Sequence, residues 1–279
     1  MSTNGSTPDE ETEQPERMRL GGMALRNGLL IHGPKTWAVA ARNRDGEIEV
    51  ASGPKPSLAR GKLATTPMLR GPLRLAEAMA VLPLARSRLR SARLPFEDGG
   101  VIAATLASLA ISGLIRRVRP AGVGRELVVA LLGTVPALSA LRDPALASYH
   151  AVEHKAIGGY EQDRAPEEVP KEHERCGSNL IGPMMLFSIT GQVLTEKFAP
   201  EAGPITRGLA AVAGIGAAVE LFAYAERNPD SALGHAVHGP GYEIQRLVST
   251  REPTAEQLEV GVAALDEVLR AEEQAADRT

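Results

Sequence analysis

His150-Ala151-Val152-Glu153-His154 places two histidines four residues apart with a carboxylate beside the second. On a helix, positions four apart share a face, so both imidazoles can reach one metal ion with Glu153 next to them. The order is H-x-x-E-H, that of the inverted zincins. In such a site two neutral imidazoles hold the ion, and the carboxylate is the general base toward a water that the ion acidifies. The composition of this chain alone would produce the pattern in roughly 1 of 100 such chains. The alternative is a pair of helix-surface histidines beside a Glu–Lys pair. Two histidines do not complete a zinc site, so a third ligand must come from elsewhere.

Three residues could supply it, in descending preference His173, Cys176 and Glu220. His173 and Cys176 lie three residues apart and face one point if that segment turns helically. Cys176 is the only cysteine, which excludes a disulfide framework and fits a reducing compartment. A second reading makes it a nucleophile activated by a histidine. Glu220 is the only charge between Gly208 and Ala225, and an ionisable group in such an apolar run needs a partner. Glu161 is a weaker candidate. His235 and His238 are expected to be solvent-facing loop residues, and His32 a structural one. No P-loop, G-x-S-x-G or dinucleotide fingerprint occurs, and Gly214-Ile-Gly216 reads as a point of close helix packing.

These residues must be positioned by the elements around them. Asp143-Pro144 is a good helix start, with the acid as N-cap and proline at the first position. The helix it begins runs through both histidines to about Gly158. Four runs nearly free of charge flank that segment: Gly99–Ile115, Leu127–Leu141, Asn179–Thr195 and Gly208–Ala225. A membrane span needs about 20 residues, with a lower limit near 17, so the runs are short but extendable. Their alternative is a soluble bundle of fully buried helices. Arginines crowd both ends of the first run, so no orientation can be read. Met68 to Leu94 reads as an amphipathic helix with Arg86, Arg90 and Arg93 on one face, either lying at a membrane surface or simply solvated. Toward the N-terminus, Asp45-Gly46 is a hairpin turn signal between two short strands. Gly53 to Pro67 reads as loop, and Leu247 to Glu273 as an amphipathic helix with a capping box at Thr254-Ala-Glu-Gln257.

The chain has 279 residues and a formal net charge of -3, which gives no footprint for wholesale nucleic-acid binding. Residues 1–17 are polar and acidic and read as a disordered tail without the features of a signal peptide. The last residues, from about 271, are expected to fray. The organisation expected is thus a tail (1–17), a β and loop region (18–67), a helical membrane-embedded core carrying the site (68–250) and a C-terminal amphipathic helix with its tail (251–279).

Several segments together resemble the YqhQ-like family of bacterial proteins. They are GGMALRNGLLIHGPKTWAVAARNRDGEI, TPMLRGPLRLAE, YHAVEHKAIGGYE, HERCGSNL and PGYEIQRLVSTREPTAEQLEVGVAALDEVL, in that order. The resemblance runs from Gly21 to Leu269 and implies a multi-pass membrane protein and a metal-dependent enzyme. It carries over onto Tyr149, His150, Glu153, His154, Lys155, His173, Arg175, Cys176 and Gly177. The sequence departs from the family at Asn27, where an acidic residue is frequent, and near His32, where an arginine is. Smaller departures are Ala151 and Ser178. The fold expected is mainly α: about four hydrophobic helices in two hairpins, with a small N-terminal β element. The function expected is that of a cell-membrane protein in contact with lipid, with one zinc or other divalent metal ion and possible hydrolase or peptidase activity. Two alternatives stand beside it: a non-enzymatic membrane protein with a structural metal or partner-binding site, and a transporter with Glu220 and the histidines as an intramembrane cation or proton path.

Overall fold

A computed structural model describes residues 17–58 and 61–278. The expected tail, apart from Arg17, lies outside them. The N-terminal region forms a four-stranded antiparallel meander: β1 (Gly21–Leu25), β2 (Gly28–His32), β3 (Thr36–Arg42) and β4 (Ile48–Pro54). The hairpin at Asp45-Gly46 is present, with Gly46 at φ +87°. The first hairpin, whose turn is Arg26-Asn27, adds two strands to the pair expected.

Side chains alternate across a strand, and here both faces of the sheet are covered. Leu29, Ile31, Ala38 and Ala40 pack on α4 (Pro144–Gln162) and α8 (Ala255–Ala276). Leu25, Leu30, Trp37, Val39 and Ala41 pack on the C-terminal half of α1 (Arg70–Arg88) and on residues 89–94. Double coverage explains why Trp37-Ala-Val-Ala-Ala is an unbroken apolar run. Glu272 of α8 pins the β2–β3 turn, its carboxylate accepting from the Lys35 and Thr36 amides at 2.8 and 2.7 Å. Helix α8 starts eight residues later than expected, at the predicted Thr254 cap, and continues to Ala276 where fraying was expected.

His32 stands at the end of β2 with Lys55 Nζ 3.2 Å from its Nδ1. Burial and the Lys55 charge push its pKa down to about 4. The unfolded chain therefore binds a proton that the native state refuses between about pH 6.5 and pH 4. Stability from this residue is complete above that window and is lost as the pH falls through it. Acidification from pH 7 to pH 4 should remove up to about 3 kcal/mol through this residue, and His32→Gln should flatten that slope in denaturant melts.

The remainder is helical. Asp98 caps α2 (Gly99–Val118), accepting from the Gly100 and Val101 amides. Helix α2 forms a hairpin with α3 (Val123–Ala140), and α5 (Ile181–Phe198) forms one with α6 (Pro204–Arg227). The 144–180 segment joins the two hairpins. Three of these helices, α2, α3 and α6, are long and apolar enough to cross a membrane. The fourth expected run forms α5, which packs between α3 and α6 but is not among the three. Only 11% to 17% of each candidate stretch is buried by protein, and Leu106, Leu109, Leu131 and Leu209 stand exposed. Faces this apolar require a cover other than water.

Within the bundle, a Cβ on Gly216 would strike the Met68 carbonyl, so this glycine permits close packing, whereas one on Gly214 would make only an ordinary contact with the Phe187 carbonyl. The arginine face predicted on one helix is corrected: α1 ends at Arg88, so Arg90 and Arg93 leave it. His235 and His238 lie on α7 (Ala232–Ile244) rather than in a loop.

Candidate metal centre

Helix α4 begins as the sequence predicts, with the Asp143 carboxylate accepting from the Ala145 amide and Pro144 at the first position. It then runs beneath the sheet, most of its length buried. Its His150 and His154 rings lie 4.5 Å apart between centroids. His150 Nδ1 is 2.8 Å from the Ser249 carbonyl, and His154 Nδ1 is 2.6 Å from the Lys171 carbonyl. A carbonyl only accepts, so each Nδ1 carries the hydrogen, and each neutral ring presents a lone pair at Nε2. Ligating histidines are held by such a contact on the second nitrogen.

One ligand atom from each of His150, His154 and Cys176 lies within 4.8 Å of the other two. Cys176 Sγ is 3.3 Å from His150 Nε2. Two imidazoles and a thiol are ligand types that zinc-class ions take, and the one donor pair in contact, at 3.3 Å, has the spacing of neighbouring zinc ligands. His154 Nε2 is buried without a hydrogen-bond partner, a costly state for a polar atom unless something is bound there. Burial and the neighbouring His150 hold the His154 pKa well below the ordinary imidazole value. Burial and the Glu153 charge push the Cys176 thiol up to about 11.

Glu153 stands beside this group, its Oε2 3.8 Å from His154 Nε2. Its side chain rests on β1, where a Cβ on Gly22 would strike it. Burial raises its pKa above the usual carboxylate range.

His173 is near but differently occupied. Its ring packs 5.6 Å from that of His154. Its Nε2 is 3.2 Å from Glu161 Oε2, and its Nδ1 accepts from the Arg175 amide. Both nitrogens are engaged, so the geometry puts Cys176 ahead of His173 as third donor, reversing the order of preference read from the sequence. Glu220 is elsewhere: both its oxygens accept from Arg70, at 2.8 and 2.5 Å. It is not in the donor group, nor does it line the cleft between α3, α5 and α6.

Behind the donors stand Lys155, which the resemblance carried over, and Gln245, which was not read from the sequence. Gln245, fully buried, accepts from the His173 amide and donates to Ser178 Oγ. It opens a single π-type turn, Gln245–Ser249, that places the Ser249 carbonyl on His150. Such turns concentrate at functional sites. Lys155, also buried, ties α4 to the Val169 carbonyl and to Glu252.

All these residues fall within 127–271, the stretch matched by the family described as "Protein of unknown function (DUF1385)". The chain belongs to this DUF1385 family. It is similar to "Uncharacterized protein YqhQ" of Bacillus subtilis (strain 168), with 32% identity over 133 residues. That match covers 44% of this chain, and the chain spans about 40% of the length of that relative. The YqhQ-like resemblance thus holds at the level of family. No solved structure matches the chain.

Proposed function

We propose that this protein is an integral-membrane metalloprotein and a hydrolase, with one zinc-class ion held by His150, His154 and Cys176. The observation that carries the reading is the convergence of two imidazoles, each with Nδ1 on a main-chain carbonyl, and one sulfur, with His154 Nε2 buried and without a hydrogen-bond partner. A zinc-class ion held by three protein ligands keeps a position for water and lowers that water's pKa from 15.7 to about 7. Glu153 is the general base, close to the donors without being one of them. Ser249 and Lys171 hold the imidazoles in the ligating tautomer.

Two observations support a site near the membrane face. Cys176 leads within five residues into α5, and His173 and Arg175 feel the charge of Glu226 at the end of α6. A hydrolase so placed would act on a substrate reaching the end of the bundle. The exposed apolar faces of α2, α3 and α6 support insertion in lipid.

One contact favours a second reading. Cys176 Sγ lies 3.3 Å from His150 Nε2, the spacing of a thiol nucleophile and its base. Against it, the thiol is buried and hard to ionise, and the dyad leaves His154 without a role.

Two measurements test the proposal. Elemental analysis of detergent-purified protein should find stoichiometric zinc-class metal, and carbonate washing should leave the protein in the membrane pellet. Metal-free protein that takes up none on titration would overturn the metal assignment. Release by carbonate would overturn the membrane assignment.

A further inference from the structure

The arginines around the start of α2 take no part in the metal centre. They line a cleft of about 660 Å³ bounded by the β1–β2 turn, the β3–β4 hairpin tip, residues 86–93 and the first turns of α4. Arg26, Arg42 and Arg86 on its wall are committed: Arg26 to Asp98 and Asp143, Arg42 to Glu259, Arg86 to Glu97. Arg44, Arg90 and Arg93 are exposed and have no acidic partner among the described residues. The carboxylates in the cleft are Asp45 and Glu49, and Glu49 already accepts from Asn43 and Ser91. The cleft therefore offers three free guanidinium groups in one concavity, the fork geometry that suits a phosphate.

Its location narrows the ligand. Arg26 ties together Asp98, the cap of α2, and Asp143, three residues beyond the end of α3. The cleft thus sits where the α2–α3 hairpin enters and leaves its apolar stretch. Phe96, 49% exposed, lies in the chain between Arg93 and α2 and adds exposed apolar surface there. Ile102, Leu106 and Leu109 follow as exposed apolar surface along α2.

We infer that this cleft seats the phosphate of an anionic phospholipid headgroup, with the acyl chains lying along α2. A lipid fits better than a soluble phosphate because free charge and exposed apolar surface adjoin each other here. The inference rests on the reading of α2 and α3 as membrane helices.

The test uses the full chain in mild non-ionic detergent with phosphatidylglycerol, phosphatidylcholine or inorganic phosphate added. Phosphatidylglycerol should bind at least tenfold more tightly than phosphatidylcholine and raise the melting temperature. The triple substitution Arg44→Gln, Arg90→Gln, Arg93→Gln should weaken it on the order of a hundredfold, with circular dichroism and metal content unchanged. Arg117→Gln with Arg119→Gln, at the other end of α2, should leave it intact. Equal binding of the two lipids, or a triple variant that binds like wild type, would overturn the inference. So would full displacement by inorganic phosphate, which would make the ligand a soluble one. If carbonate releases the chain from membranes while this selectivity persists, the membrane-spanning reading fails and the headgroup site stands.

Discussion

A His154→Ala protein is expected to leave purification without bound metal, while Glu153→Gln keeps the ion and loses turnover. Binding energies for structural zinc are roughly 10–16 kcal/mol over four ligands, so one ligand accounts for about 2.5–4 kcal/mol, a factor of roughly 70–900 in affinity. The substitution also leaves the Lys171 carbonyl without its donor in a buried position, a further penalty of about 1–3 kcal/mol. Glu153 is not in the donor group, so the amide at that position should leave metal stoichiometry unchanged. Loss of a general base should lower turnover by about 10²–10⁴, once a substrate is in hand. Cys176→Ser separates the two readings of the site. If the sulfur is a ligand, a chelator inactivates wild type, and the serine variant holds metal more weakly. If it is a nucleophile, a chelator changes nothing and serine abolishes activity. Metal retained by both His150→Ala and His154→Ala would sink the centre as drawn.

The second large effect is expected at the opposite end of the bundle. Arg125 is 7% exposed and pairs with Glu126, 2% exposed, and with Glu196 of α5. Glu126 also holds Arg116 at 2.7 Å. This network ties the α2–α3 hairpin to α5. Arg125→Met removes one cation and leaves two carboxylates short of a partner, which should destabilise by about 3–5 kcal/mol in detergent melts. Adding Glu196→Gln should recover a large part of that loss, because Glu126 keeps Arg116 while the Glu196 charge is the one left uncompensated. An Arg125→Met protein that melts like wild type would show that the network is no tie between the hairpins.

Local signals in the sequence translated well. The Asp143-Pro144 start of α4, the Thr254 capping box and the Asp45-Gly46 turn are all short-range devices, and each stands where its residues indicate. The helix carrying His150 and His154 was legible for the same reason. Its partners were not. The Ser249 and Lys171 contributions are main-chain carbonyls, and any residue type supplies a carbonyl. Their role comes from where the chain passes, which sequence does not spell out. His173 ranked ahead of Cys176 because the spacing to both is alike, and only the Glu161 contact shows His173 to be occupied. Glu220 was rightly marked as needing a partner, but the partner is Arg70 from a helix 150 positions away. The first β-hairpin escaped because its Gly-rich strands lack strong β-formers and its Arg-Asn turn lacks a glycine. Asn27 holds that turn through the Ser91 carbonyl and the Arg93 amide, contacts that require the tertiary fold.

The hydrogen bond that fixes the His150 tautomer spans 99 residues of chain. Its acceptor is synthesised after both helices of the second hairpin. At about 5–20 residues per second, a ribosome takes on the order of 5–20 s to travel from one partner to the other. During that interval the nascent chain holds histidines and a cysteine but no finished donor set. On the proposed reading, tight metal capture waits until the α5–α6 hairpin is in place and the π-type turn has closed behind it. A chain stalled or misinserted at that hairpin would stay apo, so metal content would report how faithfully the protein was assembled.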